Sequence, residues 1–289
     1  MAATLKTGGL AVSREVAQTL SGVGTSDGNG VKLTRFIGSR DLNMLDPFLL
    51  LDLFQSDEAS DYIGGFPSHP HRGFQTVTYM LAGRMRHKDN AGHEGVIEPG
   101  GVQWMNAGRG VIHSEMPEQE SGLLSGFQLW VNLPAADKMS PPTYQEFAAA
   151  DIPVESRAPG VGVKVIAGRT DFGTVGPVEI PATDPRYFDV DLEAGAVFSQ
   201  NIPQGHNGFI HVIGGGVVVG GEAAELTEGT LGVLGPGDRV QVLGGEMSSR
   251  FLLVAGRELD EPVARGGPFV MTTRQQIIEA FEDYRAGRF

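Results

Sequence analysis

No cysteine occurs in the 289 residues. That absence excludes a disulfide framework, Cys-ligated zinc, iron–sulfur clusters and thiol catalysis together. Long apolar runs are missing too. The longest, residues 47–51 and 251–255, fall far short of the roughly 20 residues that a membrane-spanning helix needs. The opening Met1-Ala2-Ala3-Thr4-Leu5-Lys6 leads into polar, glycine-rich sequence without an apolar h-region, so no signal peptide is expected and a soluble cytoplasmic protein is the default. Basic charge is scarce: 22 Lys and Arg stand against 35 Asp and Glu, a net charge of −13. Such a surface repels nucleic acid and anionic lipid, so neither direct nucleic-acid binding nor membrane binding is expected. There is no phosphate loop, no Gly-x-Ser-x-Gly elbow and no helical His-Glu-x-x-His. Gly214-Gly215-Gly216 has no helix-like segment after it and reads as a turn.

What is present is a foldable chain rich in turns. Hydrophobic residues make up 40% and charged residues 20%, enough apolar matter for a core and too little charge for disorder. Glycine (42) and proline (17) punctuate short runs of Val, Ile, Phe and Tyr at residues 31–37, 76–81, 129–133, 162–167, 178–180, 209–213 and 251–254. Short runs at this spacing predict an all-β sandwich or barrel. One helix is expected at the end. Thr273 and Gln276 form a capping-box pattern, Ile277, Ile278, Phe281 and Tyr284 an apolar stripe, and Gly287 a stop.

The chain also repeats itself. His69-Pro70-His71-Arg72-Gly73-Phe74 precedes a β-rich run, and Glu98-Pro99-Gly100-Gly101 opens another. Gln204-Gly205-His206-Asn207-Gly208-Phe209 and Gly235-Pro236-Gly237-Asp238 do the same in the second half. Two copies of one β-unit are predicted, residues 1–147 and 148–289, with the joint within residues 141–154.

His69 and His71, two residues apart on an extended strand, project from one face. His113 and Glu115 share that spacing. If the two strands face each other across a small barrel, three imidazoles and one carboxylate converge, a set that suits a divalent transition metal. A lone His is more often a surface or hydrogen-bonded residue, and His-x-His alone is a weak pattern; two such pairs flanked by turn glycines are stronger. Carried onto the repeat without gaps, His69, His71, His113 and Glu115 correspond to Gln204, His206, Arg250 and Leu252, so the second unit is expected to hold no catalytic metal.

Several stretches closely resemble the pirin family of bicupins: residues 66–74 (Phe-Pro-Ser-His-Pro-His-Arg-Gly-Phe), 103–117 (Gln-Trp-Met-Asn-Ala-Gly-Arg-Gly-Val-Ile-His-Ser-Glu-Met-Pro), 128–134, 46–52, 261–263 and 267–271. The resemblance covers nearly the whole chain. It implies two tandem cupin (jelly-roll) barrels with a C-terminal helix, the second a degenerate site. It also implies one metal held by His69, His71, His113 and Glu115. Fe(II) is the implied ion, although Mn, Ni, Co, Cu or Zn could bind the same donors. One departure stands out: where the family usually has Glu after Gly-Phe, this chain has Gln75, a poor ligand that could still hydrogen-bond near the site.

The resemblance further implies a quercetinase-like dioxygenase that takes a small aromatic flavonol and O₂, with Glu115 as catalytic base. The alternative is a non-enzymatic, redox-responsive regulator that acts through a protein partner. Phe66, Arg72, Met85 and Met105 are the candidate pocket residues. Trp104 and Trp130 read more simply as core, and His87 and His93 as solvated loop or rim residues.

Overall fold

The computed structural model describes residues 12–157 and 159–289. The strands lie in two seven-stranded sheets, two four-stranded sheets and one two-stranded hairpin. The first large sheet runs in the order Thr143–Phe147, Val102–Asn106, Phe74–Ala82, Leu124–Asn132, Phe48–Ser56, Val31–Ile37, Val23–Asp27. Its companion is the small sheet Phe66–His71, Val111–Pro117, Met85–Asp89, Glu94–Ile97. The second pair repeats the arrangement. Its large sheet is Val16–Leu20, Leu231–Leu234, His206–Gly214, Ser249–Arg257, Arg186–Leu192, Val161–Ala167, Val154–Arg157, and its small sheet is Val197–Asn201, Arg239–Gly244, Gly216–Val219, Ala224–Thr227. This is the all-β architecture that the turn spacing predicts, with the two tandem barrels that the resemblance implies.

The register of the repeat differs from the ungapped count. Position by position in the two topologies, Phe66–His71 corresponds to Val197–Asn201 and Val111–Pro117 to Arg239–Gly244. His206 instead opens the strand that corresponds to Phe74–Ala82. Arg250 and Leu252 lie on the counterpart of Leu124–Asn132. For His206 the count slips because only Arg72 and Gly73 join the first two strands, whereas Ile202 through Gly205 join their counterparts; for Arg250 it slips because the Pro99 turn precedes Val102–Asn106 whereas the Pro236 turn follows its counterpart Leu231–Leu234. At the true counterpart positions the second barrel buries Phe198, Gln200, Val240 and Val242; only Gln200 is polar, and its amide is taken up by Arg157 and Asp171.

The division at residue 147 is crossed by one strand. Val16–Leu20 pairs with Leu231–Leu234 and so edges the second large sheet, at the place that Thr143–Phe147 takes in the first.

The largest apolar cluster belongs to both barrels. Phe36, Phe48, Tyr79 and Phe127 from one pack with Tyr187, Phe209, Leu231 and Leu252 from the other. Alternation makes this possible, since each strand sends every second side chain to one face. Two polar devices lie in the same interface. The Tyr79 hydroxyl donates to Asp189 over 2.5 Å, and Asp189 accepts a two-pronged contact from Arg250 at 2.9 and 2.6 Å. Arg250 therefore spans the joint rather than a second metal site. His211 lies edge-on between Phe36 and Phe127, at ring separations of 4.7 and 4.9 Å.

After the second barrel the chain returns to the first. The hairpin Ala264–Gly266 and Phe269–Met271 lies against the turn after His71, where Val270 N donates to Arg72 O and the buried Lys138 ammonium donates to Gly73 O (2.7 Å), Asn132 Oδ1 (2.6 Å) and Val270 O (3.1 Å). Gly73 has a positive φ of 85°, and a Cβ there would meet Val270 O at 2.1 Å, so only glycine fits. The helix Arg274–Arg285 follows with the expected Thr273–Gln276 capping box. It buries Ile277 and Ala280, while Ile278 stays 44% exposed, one residue off the packed stripe.

Candidate metal centre

The site begins with strand parity. Phe66–His71 and Val111–Pro117 pair antiparallel with His113 opposite His69 and Val111 opposite His71. Residues two apart share a face, so His69, His71, His113 and Glu115 all point into the first barrel. The three imidazoles meet there. Their ring centroids are 4.5 to 5.0 Å apart, and one nitrogen from each lies within 4.8 Å of the others. Glu115 is outside that cluster of nitrogens. It is buried on the wall of the same cavity as His69 and His71, with Oε1 accepting from the Thr78 hydroxyl at 2.9 Å.

Hydrogen bonds fix the ring states. His69 Nδ1 lies 2.8 Å from Pro67 O, and His71 Nδ1 lies 3.4 Å from Pro268 O. Each donates from that nitrogen, which leaves two Nε2 lone pairs facing each other across 2.9 Å. Both nitrogens of buried His113 have no partner among the described residues. Burial drives the His71 pKa well below its ordinary value and lowers that of His113 to about 3, so both rings are neutral at pH 7. Facing lone pairs repel unless a cation sits among them, and neutral imidazoles are the form that binds one. The donor set fits a divalent metal.

The cavity beside these residues has a volume of about 730 Å³. Its wall is mainly apolar, with Leu33, Leu50, Phe54, Phe66 and Trp130 on it. Trp130 stands edge-on to His71 at 5.3 Å. Arg35 is also on the wall, gripping Asp52 at 2.8 and 2.7 Å and reaching Asp27 at 3.2 Å.

Of the four pocket candidates, only Phe66 lines this cavity. Arg72 follows His71 and therefore leaves on the opposite face. It donates to Arg109 O (2.5 Å) and to Asp283 of the terminal helix (2.7 Å), and it lies over the Phe289 ring at 4.3 Å. Met85 is buried with Val31, Leu33 and Phe54, and Met105 with Ala107 and Val111; both are core. Gln75 is turned to Trp104, whose Nε1 donates to it at 3.0 Å. His93 is exposed as expected and lies 2.8 Å from Asp89. His87 is not solvated: it is buried opposite Glu115 in the sheet, with Nε2 2.8 Å from Glu146. Trp130, Thr78 and Gln128 were missed as site residues. The signal for them was parity, since Gln128 and Trp130 are two apart and Thr78 sits opposite Gln128.

The Pirin family profile matches residues 30–131, and that of the pirin C-terminal cupin domain matches residues 187–289. The chain belongs to the pirin family. It is 55% identical to a pirin-like protein of Caulobacter vibrioides over 276 residues, 96% of this chain and 99% of that protein. Among solved structures it resembles a quercetin 2,3-dioxygenase from Acinetobacter baumannii, with TM-score 0.87 and 34% identity over 96% of this chain and 99% of the other. The fold is shared with an Escherichia coli pirin in complex with nickel(II), at TM-score 0.64 and 16% identity over 86% and 99% of the two chains. Among the described residues, no helix is long and apolar enough to cross a membrane.

Proposed function

We propose that the first barrel is a metal-dependent dioxygenase centre that opens flavonols such as quercetin by 2,3-dioxygenation with release of carbon monoxide. One observation carries the reading: unpartnered imidazole nitrogens converge beside a cavity whose apolar, aromatic wall suits a flat ring system. The likeness to the Acinetobacter quercetin 2,3-dioxygenase supports it. His69, His71 and His113 would hold the metal, Fe(II) in this proposal, with Glu115 as fourth ligand. When bound, the divalent ion lowers the pKa of the substrate hydroxyl and supplies a redox-active Lewis acid for O₂.

The chain's own residues do the rest. Glu115 would accept the hydroxyl proton on giving up its place as ligand when substrate binds. Burial raises its pKa and makes it the stronger base, while Thr78 holds Oε1 and leaves Oε2 for the proton. Trp130 and Phe66 offer faces for ring stacking, and Leu33, Leu50 and Phe54 keep water from the reacting ring.

The test is to load the protein with iron under nitrogen, add quercetin and admit air. Flavonol absorbance should fall and carbon monoxide should appear, with His113→Ala slower by about 100-fold or more. Full metal occupancy with no flavonol loss, wild type and His113→Ala behaving alike, would overturn the proposal.

A further inference from the structure

Among the described residues, one cation on the cavity wall has no partner. Asp27 and Asp52 are both engaged by Arg35, and Glu115 by Thr78. Arg265 has no hydrogen-bond or ion-pair partner among the described residues, although it lines the same cavity as His69, His71 and Glu115. Desolvation lowers its pKa, and no acid offsets that loss. Arg265 is exposed at the mouth of the cavity, so water still solvates its guanidinium and the free fork is open to an oxyanion.

The backbone that carries Arg265 is held in place. The residue sits on the strand Ala264–Gly266, opposite Val270, and Val270 is fixed at both ends: its N–H donates to Arg72 O and its carbonyl accepts from Lys138. The hairpin thus presents a cation from the second half of the chain to the cavity of the first barrel. Asp27 and Asp52 share a single guanidinium and leave their own stretch of wall with a net negative charge, which steers an anion toward Arg265.

We propose that Arg265 selects aromatic substrates that carry an anionic oxygen group, such as a carboxylate, at the end of the molecule away from the metal-bound hydroxyl. This rests on the dioxygenase reading for the other end of the substrate. A charge-assisted contact at such a site gives a preference of about tenfold, which is about 1.4 kcal/mol.

The probes are 3-hydroxyflavone and its 4′-, 3′- and 7-carboxylate isomers, titrated calorimetrically into metal-loaded protein without O₂. At least one carboxylate should bind about tenfold tighter than the neutral parent. Arg265→Ala should cut that ratio to below about twofold, Arg265→Lys should retain part of it, and the melting temperature of each variant confirms that it is folded. The anchor is overturned if no isomer outbinds the parent, or if the ratio survives Arg265→Ala. A carboxylate that binds through Arg265 while the neutral parent does not bind would sink the flavonol reading and leave the anchor standing. The parent bound without an Arg265-dependent ratio would do the reverse.

Discussion

Replacing Lys138 with methionine tests how the hairpin is held to the metal-bearing barrel. The ammonium is 1% exposed and donates to Gly73 O, Asn132 Oδ1 and Val270 O. Two effects oppose each other. Methionine removes a buried charge, whose desolvation is costly. It also leaves three buried acceptors unpaired, at roughly 1–3 kcal/mol each. The second effect wins, because three losses outweigh one relieved charge, and a net destabilisation of about 3 kcal/mol is expected. For a chain of this size that lowers the melting temperature by about 6 °C.

The effect has a pH signature. Burial lowers the Lys138 pKa to about 8 in the fold, below its ordinary 10.5. Between those values the unfolded chain holds a proton that the folded chain lacks, so this group adds stability as pH rises, by at most about 1.4 kcal/mol per unit. Below pH 8 both states are protonated and the contribution is flat. Urea unfolding of wild type and Lys138→Met at half-unit steps from pH 7 to 10 should show their stability gap widening above pH 8. A gap that stays constant over that range would refute the argument that the ammonium is desolvated in the fold.

Three further outcomes are expected. Glu115→Gln keeps a hydrogen-bonding partner for Thr78 but loses the carboxylate, so metal affinity should fall by about 10- to 100-fold in a competitive chelator titration, whereas His206→Ala should leave it unchanged. His211, whose pKa burial lowers to about 4, is neutral in the fold and charges on unfolding below pH 6.5; stability is therefore lost as pH falls from 6.5 towards 4, by up to about 3 kcal/mol, and His211→Leu should flatten that acid limb in unfolding experiments. Asp283→Asn removes the charge that Arg72 meets at 2.7 Å and should cost about 1–3 kcal/mol by chemical denaturation, with earlier proteolysis of the terminal helix.

Much of the fold could be read from local pattern. Turn glycines between short β-branched runs gave barrels, and Thr273 with Gln276 gave the helix start, because both signals act over a few residues. The gathering of His69, His71 and His113 was legible for the same reason: period-two spacing fixes the face, whatever the rest of the chain does. The pocket was not legible. Arg72 looked functional because it adjoins His71, yet adjacency in a strand means the opposite face. The true wall comes from segments far apart in sequence, with Leu33 and Phe54 early, Trp130 midway, and Arg265 and Val270 near the end. No local pattern reports that meeting. The repeat was visible, but its register was not: two extra residues after Asn201 moved His206, and the Pro99 turn precedes Val102–Asn106 whereas the Pro236 turn follows its counterpart Leu231–Leu234, which moved Arg250.

The crossing of Val16–Leu20 into the second large sheet has a consequence for anyone who would cut this molecule in two. A fragment that starts at residue 148 would carry Leu231–Leu234 as a bare edge, four apolar residues with open backbone groups that invite stacking with neighbours. During synthesis Val16–Leu20 leaves the ribosome well before Leu231–Leu234 and must wait, unmated, until nearly the whole second barrel has emerged. The two lobes are therefore stitched at an edge by the strand Val16–Leu20. A tandem permutant that moves that strand behind Phe289 would show how much of the folding time is spent waiting for it.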